Sequence, residues 1–134
     1  MKHSIRSTTL LVLLAAISAC GGGSSNPIAP QFQPEIVNNT DSFSFQVTGV
    51  QNASSTLTYT WRNTGTTATV NQSASISAGS ATLVILDASG AQVYSRSLTA
   101  NGTFVTTAGT TGLWTIRVVF SGTNGTVNFR ADKA

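Results

Sequence analysis

The sequence predicts an all-β fold, an antiparallel jelly-roll-like β-sandwich of about eight strands over residues 41–134, preceded by a signal peptide and a flexible tether. Three observations carry this. From Asp41 onward apolar and polar residues alternate with a period of two, which places alternate side chains on opposite faces of a strand. Nowhere in that stretch does a period of 3.6 persist, and threonine, serine, valine and glycine outnumber the helix formers. Turn signals recur at short intervals, and several strands carry aromatic faces that need an opposing sheet to bury them. A closed barrel is the competing architecture.

Taken in order, Ser42–Val47 puts Phe43, Phe45 and Val47 on one face, and Leu57–Arg62 does the same with Leu57, Tyr59 and Trp61. A third strand is expected over Thr67–Gln72 with Ala68 and Val70 inward, and a weaker one over Ala74–Ser77 around Ile76. Ala81–Leu86 is apolar without alternation, the pattern of a strand covered on both faces or lying centrally in its sheet. Asp87-Ala88-Ser89-Gly90 closes it: the aspartate accepts backbone hydrogen bonds and the glycine tolerates a left-handed backbone. The chain returns through Gln92–Leu98, turns at Asn101-Gly102 into Thr103–Thr107, and loops past Gly109 and Gly112. Trp114–Phe120 aligns Trp114, Ile116, Val118 and Phe120. Asn124-Gly125, the strongest hairpin signal in the chain, is then expected to lead into a last strand at Thr126–Arg130.

The N-terminal part has a different grammar. Lys2, His3 and Arg6 form a basic head, Leu10–Ile17 an apolar core, and Ser18 and Ala19 a small-residue end, the three parts of a secretory signal peptide. The run is too short to span a bilayer before glycines interrupt it, since a spanning helix needs about 20 apolar residues. Ile17-Ser18-Ala19-Cys20 resembles the bacterial lipobox, which implies cleavage before Cys20 and diacylation of its thiol. Ordinary signal-peptidase cleavage, leaving a free thiol, is the alternative. Residues 1–19 are thus read as the signal and 20–40 as lipidated cysteine and tether. Gly/Ser residues supply freedom there, and Pro27, Pro30 and Pro34 supply reach. The resemblance places the protein in the bacterial cell envelope, attached to a membrane by its N-terminal lipid. Gly21 after the cysteine favours the outer membrane, with the periplasmic or surface face left open.

Composition narrows the chemistry. Beyond residue 19 the cations are Arg62, Arg96, Arg117, Arg130 and Lys133, and the carboxylates are Glu35, Asp41, Asp87 and Asp132; five against four leaves a side-chain charge of +1. No basic cluster offers a footprint for a phosphate backbone, so nucleic acid is not an expected partner. The sole histidine, His3, lies in the signal peptide and Cys20, the sole cysteine, is the lipid site. The Ser-His-Asp and Cys-His arrangements and the usual zinc ligands therefore have no residues to draw on. The four carboxylates are scattered singly. No enzymatic role, cofactor or metal is expected. A calcium site beginning at Asp87 would need six to eight oxygens, and a turn-forming role suits that residue better.

Among candidate binding residues, Tyr94 and Arg96 share a strand face with Leu98 and are assigned as the ligand-binding pair. Tyr59, Trp61, Tyr94 and Trp114 would form a platform for sugar rings if exposed, but Trp61 and Trp114 are in phase with core neighbours. Arg62, Arg96, Arg117 and Arg130 each sit within a strand, where solvated sheet faces and protected edges explain them. A basic strip for an acidic polymer requires several of them on one sheet. Asn52, Asn71, Asn101 and Asn124 head sequons that read as turn chemistry in a bacterial protein.

Leu83-Val84-Ile85-Leu86-Asp87-Ala88-Ser89-Gly90-Ala91-Gln92-Val93-Tyr94, followed by Gly112-Leu113-Trp114-Thr115-Ile116-Arg117-Val118 and preceded by Ser42-Phe43-Ser44-Phe45, resembles the bacterial pre-peptidase C-terminal type of domain. The resemblance implies a jelly-roll-like sandwich acting as a non-catalytic accessory. The expected function is that of a binding or scaffolding module meeting an envelope protein or glycan. A carbohydrate-binding module and an auxiliary subunit of a larger envelope complex are the alternatives.

Overall fold

The computed structural model describes residues 33–134, so Cys20 and the signal and linker stretch 1–32 lie outside the described residues. Seven strands follow one another: β1 (Glu35–Asn39), β2 (Ser42–Asn63), β3 (Ala68–Gln72), β4 (Ser75–Leu86), β5 (Gln92–Ser97), β6 (Gly102–Val105) and β7 (Gly112–Lys133). All pairings are antiparallel, and no helix occurs among the described residues.

The frame is a ribbon of two long strands. β2 and β7, 22 residues each, pair from Ser42↔Asp132 to Asn63↔Gly112. Fully extended, such a strand would span roughly 70 Å. Instead the ring of Phe43 lies 5.5 Å from that of Tyr59, 16 residues further along the same strand, so the ribbon is doubled over on itself. The fold line runs through register shifts between Val47 and Ser55 on β2 and between Ile76 and Ser80 on β4. Each half of the ribbon recruits its own neighbours. The first layer is β1, residues 42–47 of β2, residues 127–133 of β7, β3 and β6. The second is residues 55–63 of β2, residues 112–120 of β7, residues 80–86 of β4, and β5.

Phe43, Phe45 and Phe129 of the first layer face Tyr59, Trp61, Trp114 and Phe120 of the second, and all but the half-buried Tyr59 are essentially inaccessible. Phe45 stacks on Phe129 at 5.2 Å and reaches Phe120 at 6.4 Å, joining the layers. Trp61 and Trp114, direct cross-strand partners, meet edge to face at 5.9 Å, the arrangement that opposes ring edge to ring face. Every buried side-chain nitrogen or oxygen among the described residues has a hydrogen-bond partner. Among the described residues strands β1, β5 and β6 each pair on one side only, which leaves open edges as in a sandwich and not the continuous pairing of a closed barrel.

Three local expectations change. Asn124-Gly125 makes no hairpin: β7 continues through it as one bent strand, because β2 supplies backbone partners on both sides and the chain crosses between layers instead of reversing. The same bend joins Ser42–Val47 to Leu57–Arg62 as one strand, and Ala74–Ser77 to Ala81–Leu86 as another, giving seven strands where about eight are expected. The sheet also begins earlier, since Glu35–Asn39, inside the stretch read as tether, pairs with Ser42–Gln46 as β1. Of the two readings of Ala81–Leu86 the central one holds: it lies between β7 and β5, with Ala81, Leu83 and Ile85 inward and Val84 and Leu86 half-buried outside.

Gly125 shows how tight the fold line is. Its φ is +139° and a Cβ there would overlap the carbonyl oxygen of Ser75. Both the backbone conformation and the space exclude a side chain, so Gly125→Ala is expected to cost about 2–4 kcal/mol by denaturant unfolding. A change below about 0.5 kcal/mol would mean that the corner adapts freely.

Candidate binding surface

Most groups that could carry chemistry are committed to holding the sandwich. Asp87 is buried, and its Oδ1 accepts from the Ser89 N–H (2.9 Å), the Ser89 hydroxyl (2.7 Å) and the Ala91 N–H (2.9 Å), while Oδ2 accepts from the Thr110 N–H (2.8 Å). The carboxylate thus pins the β4–β5 turn to the loop before β7. These donors, the Ser89 hydroxyl first, lower its pKa to about 2 from 3.8. A depressed folded-state pKa contributes stability that is complete above the unfolded value and lost as pH falls through the folded one. Stability should therefore drop between about pH 4 and pH 2, and Asp87→Asn should flatten that limb of an acid titration. An unchanged acid limb would contradict this role.

Asp41 acts similarly at the β1–β2 turn, accepting from the N–H (2.7 Å) and hydroxyl (2.8 Å) of Thr64, with Lys133 Nζ at 3.3 Å; the Thr64 N–H foremost lowers its pKa. Asp132 pairs with Arg130 at 2.7 Å. Among the described residues no group of three or more histidine, cysteine or acidic side chains is placed to hold a metal.

Tyr94 and Arg96 do come together, at the side of the sandwich where β5 of the second layer approaches β3 and β6 of the first. Tyr94 is 7% exposed, and its hydroxyl donates to Oε1 of Gln72 at 2.6 Å. Burial pushes that hydroxyl above the ordinary tyrosine range. Gln72, itself buried, donates through Nε2 to the carbonyls of Ser97 (3.0 Å) and Ala100 (2.9 Å), stitching β3 to β5 and the turn after it. The exposed Arg96 guanidinium lies 3.8 Å from the centroid of Phe104 on β6, a cation–π contact across the same seam. Tyr94 is therefore a closing post, and of the pair only Arg96 meets solvent. Gln72 and Phe104 were not singled out from sequence, although Gln72 is in phase with the inward Ala68 and Val70. On the opposite side Asn38 donates to the Thr60 carbonyl (2.9 Å) and Trp61 Nε1 to that of Asn39 (3.0 Å). No sugar platform forms from Tyr59, Trp61, Tyr94 and Trp114, because the sandwich interior takes them.

The outer faces differ in character. On the first layer Glu35, Ser42, Ser44, Gln46, Asn71, Asn128, Arg130 and Asp132 alternate with the core residues and contain an ion pair, while the exposed Val37 and Val105 sit on the two edge strands beside Ser44 and Thr69. On the second layer, register sets Thr56, Val119 and Thr82 in one row, Thr58, Arg117 and Val84 in the next, then Thr60, Thr115 and Leu86, then Arg62 and Leu113. Val119, Val84, Leu86 and Leu113 form an aliphatic strip that bows around Arg117 and Thr115 of β7; Leu113 is 55% exposed and the other three are half-buried. The strands of this face carry no carboxylate there, and neither Arg62 nor Arg117 has an ion pair among the described residues.

No protein-family model, curated protein or solved structure matches this chain.

Proposed function

We propose that this chain is a lipid-anchored extracytoplasmic protein of the bacterial envelope whose sandwich serves as a non-catalytic binding or scaffolding module. The observation that supports binding most strongly is the second layer's outer face, where Arg62 and Arg117, without an ion pair among the described residues, border an aliphatic strip that is half-buried apart from the exposed Leu113. Three of the four carboxylates are already held by backbone donors or by Arg130, which favours a structural over a catalytic use of them. Attachment is assigned to Cys20 through the lipobox resemblance, and the Gly/Ser/Pro stretch gives the domain reach from the outer membrane.

Of the two related readings, an auxiliary subunit of an envelope complex draws on the aliphatic strip. A carbohydrate-binding module has lost its aromatic platform to the core. Chemical crosslinking in intact cells tests the proposal: recovery of the chain with one recurrent envelope neighbour is expected. Recovery of the chain alone in the soluble fraction would contradict it.

A further inference from the structure

Resting on the reading of this chain as an anchored binding module, we propose that the outer face of the second layer docks a different protein, whose contact surface has an apolar centre bordered by carboxylates. The face brings an aliphatic strip, half-buried at Val84, Leu86 and Val119 and exposed at Leu113, beside the threonines of β2 and β7 and around Arg117, a mix of apolar and polar groups that protein interfaces use. Its threonines are β-branched and held in strands, so little side-chain freedom is lost when a partner covers them.

Charge selects the partner. Arg62 and Arg117 reach this face from adjacent strands with no acid on it and no ion pair among the described residues. A guanidinium whose planar fork is unclaimed offers a bidentate fit to a carboxylate. A second copy placed face to face would bring four arginines together with no acid between them, and like charges at an interface oppose association. The strip carries no aromatic ring for sugar stacking. Its aliphatics lie within the strands of a sheet, three of the four half-buried, which gives no protruding wedge for a bilayer. Of the possible occupants, a foreign acidic protein surface satisfies both the strip and the arginines.

The test uses the full-length chain in cells of its native host, with a photoreactive phenylalanine analogue at Thr58, beside Arg117, or at Ser44 on the first layer as a control. The expected result is one crosslinked protein from position 58 and none from 44. Its yield should fall at least about tenfold in Arg62→Glu/Arg117→Glu and recover in Arg62→Lys/Arg117→Lys, which keeps the charge. Lysine replacements of the partner's carboxylates should restore crosslinking to the glutamate variant. Equal thermal unfolding midpoints for these variants would attribute the loss to charge; a yield that tracks the midpoint instead would overturn the proposal. So would a product of two copies, a lipid or glycan adduct, or a yield indifferent to charge reversal. Crosslinking from Ser44 alone would remove this face while leaving the anchored binding module standing. Silence at both positions from a chain that washes off membranes would remove that reading itself.

Discussion

Trp114→Ala is expected to remove about 3–5 kcal/mol of folding stability, the range for truncating a fully buried large aromatic side chain. The indole lies against Trp61 across the ribbon, and its Nε1 donates to the Thr110 carbonyl at 2.8 Å. The substitution therefore opens a cavity and also removes the donor that ties down the loop carrying Thr110, the same loop that Asp87 holds. Against a typical total of about 5–15 kcal/mol for a single domain, such a loss leaves a substantial unfolded fraction at modest denaturant. Chemical denaturation followed by fluorescence of the remaining Trp61 measures it. Because the rings touch, a double-mutant cycle with Trp61→Ala should return a coupling of about 0.5–1.5 kcal/mol. A loss below about 1 kcal/mol for the single variant would show that the tryptophan pair does not hold the ribbon together.

The second large effect belongs to the proposed anchor. Cys20→Ala removes the only thiol in the chain and with it the attachment point for lipid, so the variant should move from the membrane pellet to the soluble fraction. One acyl chain binds marginally and reversibly, whereas the diacylglyceryl group expected at a processed lipobox, joined by an acyl chain on the new amino terminus, holds the protein durably. A side-chain charge of +1 beyond residue 19 gives electrostatic attraction to anionic lipid little weight. High salt should accordingly leave the parent on the membrane, and only detergent should release it. Identical fractionation of parent and variant would refute the assignment of Cys20.

Strand phase was legible in the sequence because burial on a sheet is a local, period-two property. The inward placement of Phe43, Phe45, Trp61, Trp114 and Ile116 follows directly from it. The Asp87 turn was legible for a similar reason, since its acceptor geometry is satisfied largely within four residues. The path of the chain at Asn124-Gly125 was not. A hairpin and a bend between layers ask for the same permissive residues, and only a partner strand some 70 residues away decides between them. β1 was hidden because its pattern is mostly exposed and follows directly on Pro34. The outward phase of Arg62 and Arg117 was readable, but that they share one sheet depends on the pairing of β2 with β7. For Tyr94 and Arg96 the shared face was read correctly. The contacts with Gln72 and Phe104 that define their surroundings come from the other layer.

The central claim is that a lipid on Cys20 holds a sandwich that binds at the envelope. Intact-mass analysis of the protein extracted from native membranes tests it most directly. The account predicts a chain beginning at Cys20 and heavier than its amino-acid mass by a diacylglyceryl group, with a further acyl chain where the amino terminus is also modified. A chain carrying an unmodified cysteine, or one still bearing residues 1–19, would contradict it.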